Sequence, residues 1–266
     1  MTYNATDRDG IVTFDGPGNG VPLVIVPGVM ADAQSWIPVA DALDTACPIF
    51  IVNRRGRTPS RPIGENYDVR TEIEDLASVV KSIGEPVHLF GWSYGGLIAL
   101  ETAAKGLPIR SLTAYEPVSR PFAPQTIQPI LSALAQSDTD RAVEIINRDV
   151  SGFDQDYVEA LRRTPVWPVL CRLAEPLGSE MSAIDRFEPN YAAYAEIRCS
   201  ITLIFGEQNM GLAPYGTAFE RFATAIPNGT VDHLAGLGHL AHINGPEVLA
   251  RAIVQAIRRA ENSDGV

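Results

Sequence analysis

Val87-His88-Leu89-Phe90-Gly91-Trp92-Ser93-Tyr94-Gly95-Gly96 is the stretch on which the reading of this chain turns. Val87 to Phe90 is a short β-rich run, and a helical pattern follows from about Gly95 to Lys105. Between them stands Gly-x-Ser-x-Gly, which places Ser93 on a sharp strand-to-helix turn. A serine on such a turn is held in a strained conformation. Its neighbours two residues away must be nearly free of side chain, so that the helix can pack close to the strand. The turn then projects Oγ into open space, and the helix N-terminus adds positive potential where an oxyanion would form. Ser93 is therefore the candidate nucleophile.

A serine hydroxyl needs a base, and the chain offers four histidines. His88 lies on the same strand, about 16 Å before Ser93 at the usual strand rise, and reads as a sheet-face residue. His233 reads as lying near the start of the last strand, at the wrong end. His239, in Gly236-Leu237-Gly238-His239, follows that strand at the sheet edge where Ser93 lies, and is the candidate base. His242 is the alternative; its plainer reading is a polar residue at a helix entry.

Working outward, β-rich runs alternate with helical patterns, which predicts an α/β fold with a largely parallel sheet. Strands are expected at Ile11–Phe14, Leu23–Val26, Ile49–Val52, Val87–Phe90, Leu112–Tyr115, Ile201–Phe205 and Val231–Leu234, with helices over 69–83 and 246–260. The stretch from Pro117 to about Arg198 interrupts this alternation. It is too long for an ordinary crossover, and it carries Phe122, Phe153, Tyr157, Trp167, Met181, Phe187, Tyr191 and Tyr194. We read 117–198 as an inserted helical cap, with 1–116 and 199–266 forming the core. The aromatic residues suit an apolar substrate pocket, although such a stripe is more often simple core packing.

Composition narrows the function. The chain has 266 residues, 45% of them apolar, and a net charge of −11, which suits one large domain and opposes a phosphate-binding surface. The one basic cluster, Arg54, Arg55, Arg57 and Arg61, falls in a single turn-rich stretch and reads as local structure. The three cysteines form no CxxC pair and are expected to be buried apolar fillers. Residues 1–7 have neither a basic nor an apolar leader region, and no apolar run is long enough to span a bilayer, so the expected location is cytoplasmic. Gly16-Pro17-Gly18-Asn19-Gly20 precedes a strand rather than a helix and lacks dinucleotide spacing. No cofactor, metal, nucleic acid or membrane partner is expected.

These residues resemble the α/β-hydrolase superfamily over nearly the whole chain. Asn53-Arg54-Arg55-Gly56-Arg57-Thr58-Pro59-Ser60 is similar to its D-x-R-G-x-G-x-S loop, with Asn53 replacing Asp and Thr58 replacing the second Gly. The resemblance implies a mostly parallel eight-stranded sheet flanked by helices, with a cap after the sixth strand. It assigns the oxyanion hole to the N–H groups of Val29 and Tyr94, although Pro27-Gly28-Val29-Met30 lacks the family's usual histidine. The family commonly places its acid after the seventh strand, where this chain has Gly206-Glu207-Gln208-Asn209. Some branches place it after the sixth strand, which points to Glu116. Glu116 is the expected third member of the triad, with Glu207 a further carboxylate and Asn209 an uncharged orienting alternative.

The expected function is a serine hydrolase acting on a small or medium apolar ester, lactone or thioester. Other chemistries of the fold (C–C cleavage, perhydrolysis, lyase or cyclase reactions) and a ligand-binding receptor with little turnover remain alternatives, because fold alone does not settle function.

Overall fold

The computed structural model describes residues 1–263; residues 264–266, counted above with the core, lie outside them. The first half of the chain forms β1 (Asn4–Arg8), β2 (Ile11–Asp15), β3 (Leu23–Val26), α1 (Ile37–Asp41), β4 (Ile49–Asn53), α2 (Val69–Ile83), β5 (Val87–Trp92), α3 (Tyr94–Ala103) and β6 (Ile109–Tyr115). The residues before the next strand hold α4 (Ile127–Ala135), α5 (Thr139–Ile145), α6 (Gln155–Arg162), α7 (Trp167–Leu173), α8 (Leu177–Arg186) and α9 (Tyr191–Tyr194). The chain continues through β7 (Ser200–Gly206), α10 (Tyr215–Ala225), β8 (Thr230–Leu234), α11 (Ala241–Asn244) and α12 (Pro246–Ser263).

The eight strands form one sheet in the order β1-β2-β4-β3-β5-β6-β7-β8. β2 is antiparallel to β1 and β4, and every other pair is parallel. Parallel strands covered on both faces are apolar throughout rather than alternating. Thus Leu23 and Ile25 join the core beneath α1 and α12, while Val24 and Val26 join the core beneath α2 and α3. α2 forms where the apolar periodicity of 69–83 placed it. Asp68 caps it by accepting from the Thr71 amide at 3.0 Å, and Gly84 ends it in the left-handed region at φ 82°.

β1 is not among the strands the sequence pattern predicts, the first of which is Ile11–Phe14. Asn4-Ala5-Thr6-Asp7-Arg8 is a polar edge strand, largely exposed, so it carries no apolar alternation. The available signal was the Asp9-Gly10 turn. Both residues have positive φ, 56° and 79°, and they join two paired strands as a primed hairpin turn does.

The aromatic residues between β6 and β7 divide between interior and surface, with Phe153, Phe187 and Tyr191 half-buried. Phe122, Trp167, Met181 and Tyr194 are buried, whereas Tyr157 is 41% exposed. Three arginines of the basic cluster, Arg54, Arg55 and Arg57, are buried in ion pairs, and two of them reach a residue distant in sequence. Arg55 pairs with Asp75 at 2.6 Å, and buried Arg54 pairs with Glu72 and with Glu180 of α8, both at 2.6 Å. Arg57 reaches Glu180 at 2.7 Å. Of the cysteines only Cys47 is fully buried; Cys171 and Cys199 are half-buried, so the expected buried role holds for one of three.

The C-terminal ends of the parallel strands lie side by side, with Trp92 paired to Tyr115, Tyr115 to Ile204, and Gly206 to Leu234. The residues that follow these ends therefore meet along one edge, where open α/β sheets bind their ligands.

Candidate active site

Ser93 sits directly after β5 with φ 57° and ψ −122°, a conformation that costs on the order of 1–3 kcal/mol and persists only where its surroundings enforce it. Its amide donates to the Tyr115 carbonyl at 2.9 Å. A Cβ on Gly95 would run into the Val26 carbonyl, and one on Gly91 into the Gly95 carbonyl. Both glycines are thus required by the close approach of helix, strand and neighbouring strand. The helix begins at Tyr94, one residue earlier than the sequence pattern suggested.

The structure brings the three expected residues together. His239 Nε2 lies 2.9 Å from Ser93 Oγ, and His239 Nδ1 lies 2.6 Å from Glu116 Oε2. Glu116 directly follows β6 and is fully buried. Its Oε1 accepts from the Gly206 amide at 2.9 Å, and its backbone amide is tied to Ile204 at 3.0 Å. Asn209 faces the carboxylate. Its Nδ2 donates to Oε1 at 3.0 Å and to Oε2 at 2.8 Å. The residue at the family's usual acid position therefore anchors the carboxylate supplied by the neighbouring strand. Glu207 is exposed and accepts from the Gly236 amide, away from His239.

Several side chains that position His239 were not anticipated. Tyr215 stacks on the imidazole with ring centroids 3.8 Å apart, and the Trp92 ring lies 4.9 Å from it. Trp92 Nε1 donates to the His239 carbonyl at 2.8 Å, and the Tyr115 hydroxyl donates to the Gly238 carbonyl. Trp92 lay inside the quoted motif, so a signal existed there. Tyr215 had none, because its approach depends on how α10 packs.

The other histidines lie in different settings. His88 is buried, with Nδ1 2.8 Å from Ser111 Oγ, and burial lowers its pKa. His233 is the penultimate residue of β8 rather than near its start, and it is exposed. His242 is buried, stacks on Trp36 at 5.0 Å and lies 4.3 Å from the Trp92 ring.

Burial, and then the nearby His239, push the His242 pKa down to about 3 from 6.5. Between these values the unfolded chain binds a proton that the folded chain refuses. The stability His242 contributes is thus complete above about pH 6.5 and lost as pH falls toward 3. Wild-type unfolding free energy should therefore fall more steeply than that of His242→Gln across this window, by about 1.4 kcal/mol per pH unit. Denaturant titrations at several pH values measure it; parallel curves would contradict the assignment.

Val29 follows β3, and neither its N–H nor that of Tyr94 donates to another group among the described residues. Val29, Ser93 and His239 line a cavity of about 220 Å³, whose walls include Met30, Phe122, Leu161, Val169, Leu170 and Leu173. No group of metal-ligating side chains occurs among the described residues, and no helix there is long and apolar enough to cross a membrane.

A family model described as the alpha/beta hydrolase family matches residues 23–252. The chain belongs to that family. It is 32% identical over 109 residues to the N-formylmaleamate deformylase of Pseudomonas putida, a match covering 39% of this chain and 40% of that protein. It spans less than half the length of the curated relatives it matches. Among solved structures, an alpha/beta hydrolase from Sphaerobacter thermophilus superposes with a TM-score of 0.78 at 26% identity, covering 96% of this chain and 100% of that one. An enol-lactonase from Burkholderia xenovorans superposes with a TM-score of 0.77 at 18% identity, over 96% of this chain and 100% of that one, a likeness of fold.

Proposed function

We propose that this protein is a serine hydrolase acting on small or medium apolar esters, lactones or thioesters. The observation that carries the reading is the chain of contacts Ser93–His239–Glu116 at the wall of an apolar cavity. In the proposed cycle, Ser93 Oγ attacks the carbonyl carbon while His239 Nε2 takes the hydroxyl proton. The Val29 and Tyr94 N–H groups stabilise the oxyanion. Collapse of the tetrahedral adduct breaks the bond to the leaving group, which receives the proton from His239 and leaves an acyl-Ser93 ester. Water, deprotonated by His239, then attacks that ester. The second adduct releases the acid, and the proton returns to Ser93. Glu116 holds the imidazole in the tautomer with Nδ1 protonated and stabilises the imidazolium. Residues 117–198 act as a cap, with Phe122, Leu161, Val169, Leu170 and Leu173 supplying apolar wall.

The test is a panel of chromogenic esters of increasing acyl length, with γ- and δ-lactones and thioesters alongside. The Pseudomonas putida relative's name adds formyl amides to it. A cavity of about 220 Å³ favours short and medium acyl groups, so rates should peak there and fall for long chains. Binding of panel compounds, seen as a thermal shift, without turnover would overturn hydrolysis and favour a receptor.

A further inference from the structure

Arg54 occupies the variable second position of the Asn53–Ser60 loop and is 1% exposed. Its Nε donates to the Pro27 carbonyl at 2.8 Å and its Nη2 to the Gly28 carbonyl at 2.7 Å. Gly28 C=O and Val29 N–H belong to one peptide unit. In a planar trans peptide these bonds point in opposite directions, so fixing the carbonyl oxygen fixes the direction of the N–H. A guanidinium on that carbonyl also polarises the peptide and makes its N–H a stronger donor.

The same guanidinium lies 5.0 Å from the centroid of the Tyr94 ring, the residue whose N–H is the second proposed donor. The Tyr94 hydroxyl lies 3.1 Å from that of Tyr67, which donates to Glu72 Oε1 at 2.8 Å. Arg54 Nη1 donates to the same oxygen at 2.6 Å, closing the circuit. Two further residues of the loop brace the neighbouring backbone. Arg57 Nε donates to the Ala31 carbonyl at 2.8 Å, and Asn53 Oδ1 accepts from the Ala33 amide at 3.2 Å. Met30, between the contacts at Gly28 and Ala31, is held at φ 57°, a conformation that needs such enforcement.

We infer that Arg54 is a positioning residue for the oxyanion hole, fixing the Gly28–Val29 peptide through its carbonyl and packing on Tyr94. Glu180 of α8, 2.6 Å from Arg54 Nη2, links the β6–β7 helices to the same guanidinium. This inference rests on the proposed acyl-transfer reading and adds a residue that touches neither substrate nor nucleophile.

The test compares Arg54→Lys with Glu180→Gln. Arg54→Lys keeps the charge and loses the fork that reaches two carbonyls and Glu72 together. Glu180→Gln perturbs the buried ion pairs and leaves both carbonyl contacts in place. For Arg54→Lys, kcat on the best ester should fall about 10- to 100-fold, less than the roughly 10²- to 10³-fold loss on deleting an oxyanion donor, with KM changed less than about threefold. Affinity for an alkylboronic acid, whose Ser93 adduct places an oxygen in the hole, should fall by the same factor. Glu180→Gln should lower the melting temperature while kcat stays within about threefold. Unchanged kcat and boronate affinity in Arg54→Lys, or an equal kcat loss in Glu180→Gln, would overturn the inference.

If Arg54→Lys does not fold, a crystal structure of the wild-type boronate adduct decides. It should show an oxygen within about 3.1 Å of the Val29 and Tyr94 nitrogens with the Arg54–Gly28 contact intact. A Gly28 carbonyl turned away from Arg54 would overturn the inference. Wild-type protein that forms no adduct at Ser93 would instead overturn the acyl-transfer reading on which it rests.

Discussion

His239→Ala is expected to slow ester hydrolysis roughly 10³- to 10⁵-fold, with little change in KM or in folding. His239 Nε2 is the one titratable group of the described residues within hydrogen-bonding distance of Ser93 Oγ, at 2.9 Å. Removing it leaves a neutral hydroxyl with no proton acceptor. The ring is held by Tyr215 and Trp92 rather than by burial alone, so its loss leaves the sheet untouched. Ser93→Ala should cost as much, and the double variant should be about as slow as either single one, because groups that act as a unit are not additive. Steady-state kinetics on the best ester would measure this. Independent, multiplying losses would show that the two residues do not act in one step.

Glu116→Gln should lower kcat roughly 10³- to 10⁴-fold. Glu116 Oε1 accepts from the Gly206 amide and from Asn209, and Oε2 accepts from Asn209 and His239 Nδ1. A glutamine keeps its one carbonyl oxygen at the Oε1 place and turns its NH₂ toward the ring. That donor pushes the imidazole proton to Nε2, where it blocks the lone pair needed by Ser93. Asn209→Ala should cost only about tenfold, because Gly206 still anchors the carboxylate. Glu116→Gln within tenfold of wild type, with Asn209→Ala inactive, would make Asn209 the orienting group.

Much of the fold was legible because apolar periodicity and turn residues agreed. Val69–Ile83 carries one apolar face and ends at Gly84, and the Leu23–Val26 run is buried on both faces. β1 escaped because a polar edge strand has no apolar alternation to read. In the candidate site, Ser93 was marked by its motif and His239 by its place beyond the last strand, while Glu116 was pointed to by the family resemblance. Side chains that act across long sequence separations were not marked. Tyr215 has ordinary local sequence and Arg54 stood out only as part of a basic cluster, and their contacts with His239 and the Gly28 carbonyl exist only after the sheet edge has assembled. His233 is the penultimate residue both of the expected Val231–Leu234 run and of β8, so it lies near the strand's far end, and it is exposed.

The most direct test of an activated Ser93 is labelling of the purified wild-type protein by a fluorophosphonate, beside Ser93→Ala and His239→Ala. The probe requires no knowledge of the substrate and reports the nucleophile itself. The account predicts rapid labelling of the wild type, none of Ser93→Ala, and labelling of His239→Ala slowed by at least about 10²-fold. A folded wild type that resists the probe, or a Ser93→Ala variant that labels as fast as wild type, would contradict it.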